Sequence, residues 1–214
     1  MSKAKSQKSK RQANASSKSK TDLHGNAPDQ SRSVLLLIDL INDLSFPNNE
    51  HLVRNSEKLA RAIVRLKERC QRAGIPAIYV NDNHGKWKSN FSAVLQHCLR
   101  PEAPGRAMVK LLAPATEDYV ILKPKHSAFY GTPLATILEY IGARTAILAG
   151  LTTNACVLIA AGELYVRDFR VLVPSDCVAA LTDGDQRQAL DLMRHNFGAE
   201  ITSSPKLRLS RSLK

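Results

Sequence analysis

From residue 34 onward, apolar runs of strand length alternate with segments of helical periodicity, and that alternation constrains the fold more than any other feature. Val34-Leu35-Leu36-Leu37-Ile38 is a continuous apolar run, as a strand covered on both faces requires. A helix is expected over 53–73, where Leu59, Ala62, Ile63 and Leu66 share one face and Gly74 supplies the stop. Further strands are expected at 75–80, 119–122, 145–149 and 169–173, with a short one at 199–202. Helices fall at 134–141, after Cys156, and over about 185–196. Strands separated by helices predict an α/β fold: one Rossmann-like domain in three layers, a mostly parallel sheet of about six strands with helices on both faces. Residues 83–117 interrupt the pattern with Gly85, Pro101, Pro104, Gly105 and Pro114. An excursion of that length in a compact domain is expected to serve function.

The formal charge of +12 suggests nucleic acid until its distribution is considered. Residues 1–33 carry eight Lys/Arg against two Asp, and 206–214 carry four basic residues and no acid, which leaves +2 for the rest. The basicity belongs to the two ends. Residues 1–32, rich in Lys, Ser and Gln, cannot bury enough surface to offset their ordering entropy and are expected to be a disordered, solubilising tail. Residues 33–205 then form the folded domain, and 206–214 a basic C-terminal tail. No apolar core of a secretory signal is present, nor a run near the ~20 apolar residues of a membrane span. The four cysteines, at 70, 98, 156 and 177, follow neither CxxC nor zinc spacing, so reduced thiols in a cytoplasmic protein are expected. A redox pair and a structural zinc are excluded, and a single-cysteine nucleophile is left available.

In open parallel sheets, ligands bind beyond the carboxyl ends of the strands. The first strand runs into Asp39, the third delivers Lys123, and the fourth leads through Leu151-Thr152-Thr153-Asn154 to Cys156 at a helix start. An acid, an ammonium and a thiol are thus expected on one edge. Unpaired N–H groups and the helix dipole at Cys156 favour a thiolate there. Cys156 would be the nucleophile. Asp39 would take its proton and later activate water, and Lys123 would hold both charges.

The segments LLLIDLINDL, VILKPKHSAFYGTPL and LAGLTTNACV, with Asp39, Lys123 and Cys156 in that order, resemble the isochorismatase-like cysteine hydrolases over about residues 33–203. That family includes nicotinamidases and N-carbamoyl-amide hydrolases, and the stretch Asn81 to Phe91 resembles a less characterised branch of it. The resemblance implies attack on a small amide-type C–N bond through a thioester. It implies a cis peptide bond between Leu151 and Thr152 that turns the Thr152 N–H toward the Cys156 N–H, forming an oxyanion hole. A homo-oligomer is implied as well. Trp87, Phe129 and His84 are candidate substrate contacts. Asp82-Asn83-His84, with His97 downstream, has the spacing of the nicotinamidase metal pair but lacks the rest of that pattern, so no metal or other cofactor is expected. His126 is expected to be exposed, and Cys177 to pack. Two alternatives stand beside the amidase: isochorismate-type vinyl-ether hydrolysis with Asp39 as general acid, and a non-catalytic scaffold that binds nucleic acid through its basic tails.

Overall fold

The computed structural model describes residues 29–84 and 90–209. The expectations for residues 1–28, for the 210–214 end and for Trp87 lie outside them. Seven parallel strands form one sheet: β1 (Ser33–Ile38), β2 (Ala77–Asp82), β3 (Tyr119–Lys123), β4 (Thr145–Leu151), β5 (Arg170–Pro174), β6 (Val178–Ala179) and β7 (Glu200–Thr202). The order is β3-β2-β1-β4-β5-β7, with the two-residue β6 pairing beside β4. Among the described residues, six α-helices accompany it: α1 (Glu50–Arg72), α2 (Phe91–Cys98), α3 (Arg106–Leu112), α4 (Leu134–Ile141), α5 (Leu158–Tyr165) and α6 (Asp183–Phe197). The expected α/β architecture is borne out.

Alternation along β1 divides the core into two layers. Leu35 and Leu37 pack with Leu59, Ile63, Leu66, Met108 and Val109, under α1 and α3. Val34, Leu36 and Ile38 pack with Leu138, Ala160, Leu164 and Met193, under α4, α5 and α6. This two-sided burial explains why β1 reads as an unbroken apolar run.

Three features differ from the sequence reading. The 83–117 excursion contains α2 and α3, the first capped by Asn90, whose side chain accepts from the Ala93 N–H at 2.9 Å. Both helices are short and separated by Pro101, Pro104 and Gly105, so periodicity had too few turns to register. The described chain joins the fold ahead of β1: the Ser31 N–H donates to the Ile141 carbonyl at 3.0 Å, and Tyr119 Oη lies 3.0 Å from Asp29 Oδ2. At the other end, Leu207 is buried, and the Arg69 guanidinium of α1 donates to the Ser204 and Leu207 carbonyls at 2.5 and 2.7 Å.

The chain runs from β1 outward through β2 to β3, then returns to place β4 on the other side of β1. Connections diverge between β1 and β4, and in open sheets of this kind ligands bind beyond the carboxyl ends at such a point. Gly150 lets the two strands close. Its φ is +136°, and a Cβ at that position would stand 2.0 Å from the Ile38 carbonyl oxygen.

Candidate active site

Asp39 directly follows β1, in a left-handed conformation (φ 51°) that Asp tolerates better than most residues. Its N–H donates to the Val80 carbonyl at 3.1 Å, and its Oδ1 accepts the Asp82 N–H at 2.7 Å. The next residues are held by Asn81, a buried amide at the end of β2. Asn81 accepts from the Ile41 N–H and donates to the Ile41 carbonyl, both at 2.9 Å. Lys123 ends β3, two strands away, and its long side chain reaches across the end of β2. Its Nζ lies 2.9 Å from Asp39 Oδ2 and 3.7 Å from Asp82 Oδ2, and donates to the Lys125 carbonyl at 3.1 Å. The same ammonium stands 3.5 Å from Cys156 Sγ. Lys123 is 0% exposed, Asp39 5% and Cys156 7%.

Cys156 lies in a single π-helical turn, Thr153–Val157, inserted between β4 and α5. Such wide turns recur at functional sites. Thr153 anchors the turn by donating from Oγ1 to Gln186 Oε1 at 2.6 Å, and Gln186 in turn donates to the Val178 carbonyl of β6 at 3.1 Å.

The electrostatics reverse one expectation. Burial and the Asp39 charge push the Cys156 thiol up to about 12, and Lys123 offsets this only in part. Cys156 therefore rests as a thiol, hydrogen-bonded to Asp39, and the helix-start effect is outweighed. Burial raises the Asp39 carboxyl above its ordinary value against the pull of Lys123, which makes it a stronger base. Burial opposes the charge on Lys123, but Asp39 and Cys156 outweigh it and hold the ammonium above its usual range. A fixed cation between an acceptor and a thiol favours moving the proton from sulfur to carboxylate once an electrophile arrives.

A model of the isochorismatase domain matches residues 33–205. The chain belongs to the isochorismatase-like hydrolase family. Its similarity to YaaI, an uncharacterized isochorismatase family protein of Bacillus subtilis, is 36% identity over 173 residues, 81% of this chain and 94% of that one. Nicotinamidase 3 of Arabidopsis thaliana is 27% identical over 206 residues, 92% of this chain and 97% of that one. Among solved structures, the N-carbamoylsarcosine amidase of Thermoplasma acidophilum matches with a TM-score of 0.63 at 26% identity, covering 83% of this chain and 99% of that one. The resemblance drawn from the three motifs is borne out.

Several family-derived expectations fare differently. The Leu151–Thr152 bond is not cis: every peptide bond among the described residues is trans. Leu151 still pairs with Ala179 as part of β4, and Thr152 continues the extended course (φ −88°, ψ 148°), which a trans bond accommodates without the ~3 kcal/mol cost of a non-proline cis bond.

The Asp82/His84 pair does not fit a metal. Asp82 Oδ1 accepts the His84 N–H at 2.5 Å, and its Oδ2 faces the Lys123 ammonium. His97 Nε2 lies 2.9 Å from Asp43 Oδ2, with the Arg100 guanidinium 3.2 Å from the same nitrogen. Among the described residues, no three His, Cys, Asp or Glu side chains are grouped as metal ligands. His84 stands exposed, its ring centroid 6.5 Å from that of His97. Phe129 is buried in the same apolar layer as Cys156, and the Arg167 guanidinium covers its ring at 4.2 Å. All four cysteines are free and buried, and no helix among the described residues is long and apolar enough to cross a membrane.

One residue was underrated from sequence. His126 is exposed as expected, yet its Nδ1 lies 3.4 Å from Cys156 Sγ. The available signal was an imidazole three positions beyond the strand-end Lys123.

Proposed function

We propose that this family member hydrolyses a small amide-type C–N bond through a thioester on Cys156. The observation that carries this reading is the Lys123 ammonium, which stands 2.9 Å from Asp39 and 3.5 Å from the Cys156 sulfur. The names of two relatives, a nicotinamidase and an N-carbamoylsarcosine amidase, point to amide-type substrates for those proteins and support the same bond class here.

As Sγ attacks the substrate carbonyl, its proton passes to Asp39 and the C–S bond forms beside Lys123. Collapse of the tetrahedral adduct breaks the C–N bond and releases ammonia or an amine. Water then cleaves the thioester and frees the acid. The Cys156 N–H is the donor assigned to the developing oxyanion, a contribution on the order of 3 kcal/mol in such sites. The fit of the metal donors is poor, so no step runs through one.

Intact-protein mass spectrometry with a panel of small amides, quenched in acid, tests the reading. An acyl adduct mapping to Cys156 is expected, and it should be absent from Cys156→Ala. Full amide turnover by Cys156→Ala would remove the nucleophile assignment. Turnover by that variant on a vinyl ether alone would move the function to the isochorismate-type reaction.

A further inference from the structure

We propose that His126 is a fourth catalytic group, the acid for the leaving nitrogen and the base for the hydrolytic water. The proposal rests on the thioester reading above and reassigns the water step from Asp39.

Both oxygens of Asp39 are already engaged. Its Oδ1 accepts from the Asp82 N–H and its Oδ2 faces Lys123, and both Asp39 and Lys123 are buried. His126 is exposed, yet its Nδ1 stands 3.4 Å from the buried sulfur, so it links the sulfur to solvent. A carbon bonded to Sγ brings its own substituents, the leaving nitrogen or the incoming water, within reach of an imidazole 3.4 Å from that sulfur.

The imidazole is also held in place, as a surface histidine ordinarily is not. On one side, the Lys125 carbonyl accepts from Lys123 Nζ at 3.1 Å. On the other, Glu163 of α5 accepts from Ser127 Oγ and, at 3.1 Å, from the Ala128 N–H. Ser127 Oγ in turn accepts the Phe129 and Tyr130 N–H groups at 3.1 and 2.8 Å. The loop is thus fastened both to the catalytic lysine and to the helix that follows the cysteine. Ser127 and Glu163 are positioning residues for His126.

The proton balance closes over one cycle. In acylation, the thiol proton goes to Asp39, the imidazolium of His126 protonates the departing nitrogen, and the C–N electron pair leaves with it. In deacylation, neutral His126 takes a proton from water as the C–O bond forms. The sulfur leaves with the C–S electron pair and recovers the proton held by Asp39. Water has been added across the C–N bond, and every group has returned to its starting state.

The test uses the full chain and 4-nitrophenyl acetate, whose leaving group needs no acid. Nitrophenolate release reports acylation, and the mass of one acetyl group on Cys156 reports the thioester. In His126→Ala and His126→Gln, the burst is expected to match the native protein, while loss of the acetyl group slows by about 10²–10⁴-fold, the usual worth of a general base. Hydroxylamine, a nucleophile that needs no base, should strip the acetyl group equally fast from all three proteins. Deacylation at the native rate in both variants would overturn the proposal, as would an equal fall in burst and deacylation, which marks positioning alone. Failure of the native protein to acetylate at Cys156 would instead sink the thioester reading beneath it.

Discussion

The Lys123 ammonium and the Asp39 carboxylate meet at 2.9 Å at the carboxyl edge of the sheet, and both are almost wholly removed from solvent. The pair joins the ends of β1 and β3 across β2, so a single contact links three strands at the site. Desolvating two charges costs several kcal/mol each, which their attraction repays only while both are present.

Removing one partner should therefore be worse than removing both. Lys123→Met leaves Asp39 buried beside no matched cation, and a loss of about 3–5 kcal/mol is expected in urea denaturation. Adding Asp39→Asn should recover most of it, while activity stays absent in both proteins. If Lys123→Met were as stable as the native chain, the ion pair would have no structural role.

Asp39→Asn alone should make the thiol more reactive to a simple alkylating agent even as hydrolysis disappears. The Asp39 charge helps push Cys156 up to about 12, whereas Lys123 pulls it down. With the carboxylate gone, only the favourable neighbour remains, and the thiolate fraction at a fixed pH rises about tenfold for each unit the pKa falls. Iodoacetamide labelling of Cys156 at pH 8 should be faster in the variant. Slower labelling would show that Asp39 activates the sulfur even toward reagents that need no proton transfer.

The strand-end residues were legible because each continues an apolar run. The alternation implies a parallel sheet whose strands end on one edge, so Asp39 and Cys156 could be placed there from sequence, while the strand order came from the pairing alone. Lys123 was legible as the end of β3, although its reach across Asp82 depends on a register that only pairing supplies. His126 was underrated, because its loop is held by Glu163 of α5, 35 residues from the Ala128 N–H that it accepts. Asn81 was missed for the same reason: a buried amide at a strand end acquires its meaning from the Ile41 backbone, 40 residues away. The resting state of the thiol was misjudged because a helix start can be seen in sequence, whereas burial and the approach of Asp39 cannot.

Alkaline pH should erode stability through the buried thiols. An ordinary thiol ionises near 9.0, but burial pushes Cys70, Cys156 and Cys177 up to about 12 and Cys98 up to about 11. The folded chain then holds these protons more tightly than the unfolded chain. Their contribution is complete below pH 9 and is lost as pH rises toward 11 to 12, at up to about 1.4 kcal/mol per pH unit for each thiol. Thermal midpoints measured from pH 7 to 11 should hold steady and then fall beyond 9. Cys70→Ala should shallow the fall, and an unchanged slope in that variant would remove Cys70 from the account.

Gly150 ties stability and geometry together. Its N–H donates to the Cys177 carbonyl at 2.9 Å, and its Cα faces Ile38 across the β1–β4 pair, one residue before Asp39. At φ +136° an L side chain is strained whatever the space, and a Cβ would in addition meet the Ile38 carbonyl oxygen at 2.0 Å. The clash is with backbone, so no rotamer relieves it, and the strands must part. Gly150→Ala should cost at least ~3 kcal/mol, at the severe end for a single substitution. Parting β1 from β4 also moves Asp39 away from Cys156, so any folded fraction should acylate poorly with small amides. A variant with native stability and a native acylation rate would show that this close approach is not what brings the acid and the thiol together.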